Sequence, residues 1–228
     1  MSDPTTVDDA PEEVRDEQRE ALLASIAGEL GDVLVGSHIR PSADLWLRVT
    51  RDAWVETFRV LRHKHRQHYF NFLSAIDWLP SPFGRDMDSE VDTIVHGKTA
   101  KDPDPMVTGV GGGDTRFQLL ARVNDVLGHT AVFVKCDIPD DDLVAPTIIP
   151  VYAGANWHER EVWEMYGIEF AGHPDLRKLY LPTDFEGFPL RKDFPLLARR
   201  VKPWPGIVDV EQMPGDDEPE PDAEAGDS

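Results

Sequence analysis

NWHEREVWEMYGIEFAGHPDLRKLYLPTDFEGFPLRKDFPL, residues 156–196, packs charge, aromatics and proline into one short helix followed by a long arm. Asn156 stands where an N-cap belongs and Glu159 three residues later as its capping-box partner. Gly167 follows Tyr166 where a left-handed residue would end the last turn. The spacing predicts a helix over Trp157–Tyr166 with Val162, Trp163 and Tyr166 on one apolar face. Glu161 and Glu164 fall one turn apart near Arg160, as on an ion-pairing flank. Beyond Gly167 the periodicity stops. Pro174, Pro182, Pro189, Pro195, Pro203 and Pro205 exclude both a further helix and a central strand, because each lacks a donor and fixes its own φ. Leu181, Phe188, Phe194 and Trp204 each precede a proline and are therefore held extended. A stiff ribbon with large apolar knobs needs a groove, on its own domain or on another protein.

Upstream, the chain reads as an α+β body. Leu22, Leu23, Ile26 and Leu30 recur at helical spacing before Gly31, predicting a helix over 14–30. Leu45, Leu47 and Val49 alternate as in a strand, and Trp54, Val55, Phe58 and Leu61 mark a second helix over 53–65. The basic exit of that helix, Arg62–His68, matches the preference of cations for a helix C-terminus. Tyr69–Asp77, Phe117–Val123 and Thr130–Cys136 read as strands, the last two as a hairpin around Gly128. The economical architecture is a single mixed or antiparallel sheet packed with helices, followed by the short helix and the extended Pro-rich C-terminal arm. Residues 82–114, with Pro82, Pro103, Pro105 and Gly111–Gly113, read as a flexible insertion. The glycine run leads into a strand and lacks the strand-to-helix context of a phosphate cradle.

The formal net charge of −20 is concentrated at the termini. Residues 1–20 hold eight acids and two arginines, and residues 209–228 hold nine acids and no base, leaving −5 for 21–208. Both ends read as solvated acidic tails, and the balance excludes nucleic acid as a partner. The resulting organisation is a tail over 1–20, an α/β domain over 21–150, the signature helix and docking arm over 151–208, and a tail over 209–228. Cys136 is the single cysteine, so neither a disulfide framework nor a cysteine-ligated cluster can be built from this chain alone. No run of apolar residues reaches membrane-span length and Arg15 is the first positive residue, which predicts a soluble protein without a presequence. His158 and Glu161 stand three apart on the helix, a spacing that can ligate metal, and His158-Glu159 opens an HExxH-like pattern, but position 162 is Val, so no metal site is expected.

Glu159-Arg160-Glu161, Glu164-Met165-Tyr166-Gly167-Ile168, His173-Pro174-Asp175-Leu176-Arg177 and Pro189-Leu190-Arg191-Lys192-Asp193-Phe194-Pro195, in that order, resemble the thirty-kilodalton subunit family of NADH-quinone oxidoreductase, respiratory complex I, whose members are also known as its C subunit. The resemblance covers 21–200, and Glu164 stands where the family more often carries Asp. It implies a cofactor-free subunit of the quinone-reducing module, packed against the D, B and I subunits. FMN and Fe-S clusters would lie on partner subunits, with NADH and quinone as substrates of the whole complex. The implied location is the cytoplasmic side of a bacterial cell membrane, as a peripheral protein. No catalytic, cofactor-binding or metal residue is expected in this chain. Glu159, Arg160, Glu161 and Arg177 are expected to form an ion-pair cluster between helix and arm. Arg191, Lys192 and Asp193 are expected to dock on a partner, with Glu164 and His173 as further structural positions. The equivalent subunit of a membrane-bound hydrogenase or another proton-pumping oxidoreductase stays open. So do a stand-alone hydrolase using Glu161 and Glu164, and a regulatory module that binds partners through the arm.

Overall fold

The computed structural model describes residues 15–80 and 105–194. Helix α1 (Glu17–Leu30) starts at Asp16, whose carboxylate accepts from the Arg19 N–H, and stops at Gly31 with φ +56°. Strands β1 (Leu34–Ile39) and β2 (Leu45–Val49) form an antiparallel pair, then α2 (Trp54–Lys64) leads back to β3 (Tyr69–Asp77). The hairpin β4 (Phe117–Asp125) and β5 (Thr130–Ile138) follows. Strand order is β1-β2-β5-β4-β3, antiparallel throughout except for the parallel β2–β5 pair. The sheet is therefore mixed, with α2 as the crossover that sets β3 parallel to β2.

Alternation gives the sheet two different faces. Leu45, Leu47 and Val49 of β2, Val132, Val134, Cys136 and Ile138 of β5, and Phe117, Leu119, Ala121 and Val123 of β4 bury one face in the main core. Ile26 and Leu30 of α1 and Trp54, Phe58 and Leu61 of α2 share that core. The third helix, α3 (Ala155–Tyr166), joins it through Ala155 and Val162. An aromatic chain fixes where α3 enters. Trp54 meets Phe58 edge-on, Phe58 meets Tyr152 edge-on, and Tyr152 stacks on Phe70 of β3. The Tyr152 hydroxyl also donates to the Gln67 carbonyl at 2.5 Å.

Three features depart from the sequence reading. Strand β1 was not expected, because Gly36, Ser37 and His38 interrupt any apolar alternation. A second, two-stranded parallel sheet, β6 (Val144–Pro146) with β7 (Glu169–Ala171), brackets α3, so the sheet is not single. Residues 17–20, assigned both to the acidic tail and to the helix expected over 14–30, form the first turn of α1, where Glu17 and Glu20 favour the positive end of the helix dipole, so the tail does not extend over them.

The expected flexible insertion lies outside the described residues over 81–104, but its last part is anchored. Arg48 donates to the Gly111 carbonyl, Gln118 to that of Gly112, and Lys135 to those of Val110 and Gly112. The glycine run thus offers carbonyl oxygens to cations, the opposite polarity to a phosphate cradle. Part of the basic exit from α2 is also committed locally. Lys64 meets Glu29 at 2.6 Å, and Arg62 donates to the Val151 carbonyl while lying over the Tyr152 ring.

Candidate functional site

Helix α3 ends as its sequence predicts, with Gly167 in the left-handed region at φ +74° and its N–H bonded to the Trp163 carbonyl. Only a glycine fits that close. A Cβ there would meet Phe188 Cζ at 2.6 Å and Arg191 Nη2 at 2.7 Å.

The helix start is different from the expected capping box. Gly154 is the N-cap and no side chain caps it. Glu159 instead points inward, fully buried, and accepts from Thr147 Oγ1 at 2.5 Å and from the Ile148 N–H at 2.7 Å. It thereby satisfies the turn Ile148–Tyr152 that launches α3. Burial without a cationic partner pushes its carboxyl up to about 7, against the opposing pull of those two hydrogen bonds. A raised folded-state pKa means that the folded form holds the proton more tightly. The stabilisation is complete below the ordinary value near 4.5 and is lost as pH rises through about 7. Denaturant unfolding of the Glu159→Gln variant should therefore gain on the native chain by about 3 kcal/mol between pH 4.5 and pH 7. A pH-independent difference would contradict a lone buried carboxyl.

Glu164 is also buried, but for another purpose. Its Oε2 accepts from the backbone N–H of Leu179 at 2.9 Å and Tyr180 at 3.1 Å, and its Oε1 from that of Leu181 at 2.7 Å. Burial works against its charge, but these backbone donors, with Lys178 nearby, outweigh it and hold the carboxyl below the usual glutamate range. Arg160 takes the adjoining backbone from the acceptor side. Its Nε donates to the Arg177 carbonyl at 3.0 Å and its Nη2 to the Lys178 carbonyl at 3.2 Å, with the guanidinium over the Trp157 ring. Lys178 then curls the next turn around its own ammonium, donating to the carbonyls of Pro182, Thr183 and Phe185. A proline-rich ribbon has no ladder partners for its backbone, and these side chains supply them.

Further along, the arm is fixed a second time. Arg191 donates to the Tyr166 carbonyl at 2.7 Å and lies over the rings of Phe188 and Phe117. The Leu190 N–H meets the Met165 carbonyl. Asp77, whose side chain is 0 % exposed, accepts from Arg116 Nε at 2.9 Å and Nη2 at 2.8 Å, and from the N–H groups of Leu79 and Lys192. Arg116 Nη2 reaches Asp193 as well, at 2.9 Å. Phe185 and Phe194 stack across Gly187. His173 accepts the Asp175 N–H at Nδ1 and reaches the Asn156 carbonyl with Nε2, which defines the neutral Nε2–H tautomer.

The expected ion-pair cluster of Glu159, Arg160, Glu161 and Arg177 therefore does not form. Glu159 goes to Thr147 and the Ile148 N–H ahead of α3, and Arg160 to the Arg177 and Lys178 carbonyls beyond it. Arg177 pairs with Asp175 in the open, and Glu161 has no hydrogen bond or ion pair among the described residues. Unpaired backbone in a coil segment competes well for such side chains, because leaving it dry costs more than an exposed ion pair returns. Up to residue 194, Arg191, the Lys192 backbone and Asp193 contact this chain's own body. The groove that the ribbon needs is thus on its own domain. Asp77, Arg116, Lys178 and Thr147 were not expected. An acid at the inward end of the Leu73-Ala75-Asp77 alternation was the available signal for the first of them. Among the described residues no group of three or more His, Cys, Asp or Glu side chains is arranged to hold a metal ion.

The geometry defines an α+β body whose C-terminal arm is shaped in advance by side chains of one helix and one strand end. The fold is shared with a chain of the membrane-bound sulfane sulfur reductase, an archaeal respiratory membrane complex. There the likeness covers 78 % of this chain and 86 % of that one, at 22 % identity and a TM-score of 0.55. Residues 47–200 match the family described as respiratory-chain NADH dehydrogenase, 30 Kd subunit, and the chain belongs to that family. The second C-type subunit of the NADH-quinone oxidoreductase of Rhizobium etli is 51 % identical over 87 residues, 38 % of this chain and 46 % of that protein. The C/D subunit of the NADH-quinone oxidoreductase of Methylococcus capsulatus is 47 % identical over 82 residues, 36 % of this chain and 14 % of that protein. The chain spans about half the length of the Rhizobium relatives it matches.

Proposed function

We propose that this chain is a structural subunit, without a cofactor of its own, of the quinone-reducing module of a proton-translocating NADH:quinone oxidoreductase. The observation that carries this reading is the family match over residues 47–200, which includes α3 and the whole clamped arm. The geometry supports a bracing role. Glu159, Glu164, Arg160 and Asp77 are all spent on holding backbone, so the arm presents a fixed surface to a partner with its ordering entropy already lost. Trp157, Tyr180 and Leu190 stand exposed along this surface at 64 %, 63 % and 48 %.

The partners in this reading are the D, B and I subunits. A relative whose name joins C and D in one chain supports the first of them. FMN and Fe-S clusters sit on partner subunits, and NADH and quinone are substrates of the assembly. The chain works at the cytoplasmic side of a bacterial cell membrane as a peripheral protein. No described helix is long and apolar enough to cross a membrane.

The test is to tag the chain in its host, extract membranes in mild detergent, identify what co-purifies and assay NADH-dependent quinone reduction. Flavin, Fe-S and membrane subunits recovered with that activity are the expected result. A hydrogenase-type set would move the electron donor, and a lone protein would overturn the subunit reading.

A further inference from the structure

Two basic residues at the exit of α2 are not spent on the body in the way that Arg62 and Lys64 are. Arg66 and His68 are exposed, and among the described residues Arg66 has only Asp125, at 3.5 Å, as a carboxylate partner. Arg66 also holds φ at +58°, in the left-handed region where a side chain is strained and a glycine is not. Strain kept at an exposed position that glycine would relieve points to a use for the side chain.

The neighbouring turn carries a second anomaly. Strands β4 and β5 end their pairing at Asp125 and Thr130, and the four residues between them begin with Val126 and Leu127, where turn chemistry favours Asn, Asp, Ser or Gly. These two apolar side chains are 59 % and 78 % exposed. The turn that presents them is tied on both sides. Asp125 accepts the Leu127 N–H at 3.0 Å, and Gln18 of α1 donates to the Gly128 carbonyl at 3.0 Å. A Cβ at Gly128 would meet Asp125 Oδ2 at 2.5 Å, so this closure depends on the glycine. Between the turn and the α2 exit lies a hollow of about 320 Å³, lined by Arg66, His68 and Tyr69 on one side and by Asn124–Leu127 on the other. Tyr69 is itself 56 % exposed. Apolar surface and two basic groups thus converge on one concavity, in a body that is net acidic. A concavity takes a projecting side chain, and a cation without a close partner beside it favours a carboxylate on the same segment. Walls fixed in advance lose little entropy on binding.

We propose that this hollow is a docking site for an acidic segment of a neighbouring subunit, which inserts an apolar side chain against Tyr69, Val126 and Leu127 and sets an adjacent Asp or Glu on Arg66. The inference rests on the subunit reading above. It adds a contact at the opposite end of β3 from Asp77, where the arm is anchored.

The experiment places the photocrosslinking residue p-benzoylphenylalanine at position 127 of the tagged full chain, irradiates host membranes and sequences the adduct by mass spectrometry. The expected adduct joins position 127 to a subunit that co-purifies with the chain, in a peptide with Asp or Glu beside the crosslinked residue. Arg66→Gly removes the cation and suits the local backbone. That variant should unfold at the parent's temperature or above it and still give several-fold less adduct. Arg66→Glu should abolish the adduct, and exchanging the partner's acid for Lys in that background should restore it. Subunits that co-purify without an adduct at 127 would overturn the docking site and leave the subunit reading standing, whereas a chain that purifies alone would overturn both. An adduct to phospholipid or to a second copy of this chain, or one that Arg66→Gly leaves undiminished, would also overturn the proposal.

Discussion

Replacing Asp77 with alanine is expected to lower stability by about 3–5 kcal/mol, because it empties a buried pocket and leaves the Arg116 guanidinium with only the half-exposed Asp193 as a carboxylate partner. For a domain of this size the midpoint of thermal unfolding should fall by roughly 10 °C. The loss has two parts. Arg116 and the Leu79 N–H lose a partner inside the body, and the Lys192 N–H loses the anchor that ties down the end of the arm. Removing Arg116 as well should recover much of the first part, since the guanidinium facing the emptied pocket then disappears. The double variant should accordingly be less damaged than the sum of the single variants. Strict additivity in calorimetry would mean that the pair is not the buried unit described above.

The second large effect is expected at Glu164. Glu164→Ala removes the acceptor for the N–H groups of Leu179, Tyr180 and Leu181 together. Those donors lie in coil with no ladder to fall back on, and docking of the arm should weaken by about 2–4 kcal/mol. Amide exchange over 177–194 should accelerate on the order of 10²- to 10³-fold, while strands β4 and β5 keep their protection. Glu164→Gln should rescue little. An amide presents one acceptor oxygen, and its NH₂ would face a backbone donor. If exchange in the arm were unchanged, the arm would be held by its aromatic contacts and not by the carboxylate.

Much of the body was legible in the sequence, because its elements are set by periodicity and punctuation. Leu45-Leu47-Val49 and Trp54-Phe58-Leu61 bury the faces that their spacing announces, and Gly167 ends α3 where a left-handed residue was needed. The hairpin around Gly128 is equally local. Strand β1 escaped because its pairing with β2 is carried by backbone hydrogen bonds, with Gly36 and Ser37 contributing little side-chain signal. At the site, the charged residues of α3 were singled out in the sequence, but their partners were not, and neither were Asp77, Arg116, Lys178 and Thr147. Glu159, Arg160 and Glu164 looked like ion-pair formers because charges close in sequence on a helix usually face solvent together. In the fold α3 is wedged between the core, the β6–β7 pair and the arm, so Glu159 is buried against Thr147 and Ile148, and Arg160 and Glu164 against the backbone of 177–181. Sequence spacing reports which residues share a face, but it carries no information on which coil will lie against that face. Asp77 and Arg116 join the arm only through contacts spanning more than seventy positions, which no local pattern encodes.

On the proposed bracing role, the mutations above share one phenotype in the assembled complex. The most direct measurement is made on membranes from a host carrying Glu164→Ala in the tagged chain. The amount of assembled oxidoreductase is read on native gels and the NADH-dependent quinone reduction per assembled complex is read in the same samples. The expected result is a several-fold loss of assembled complex with turnover per complex unchanged. Normal assembly with lost turnover would contradict the bracing role and would place Glu164 in the chemistry itself.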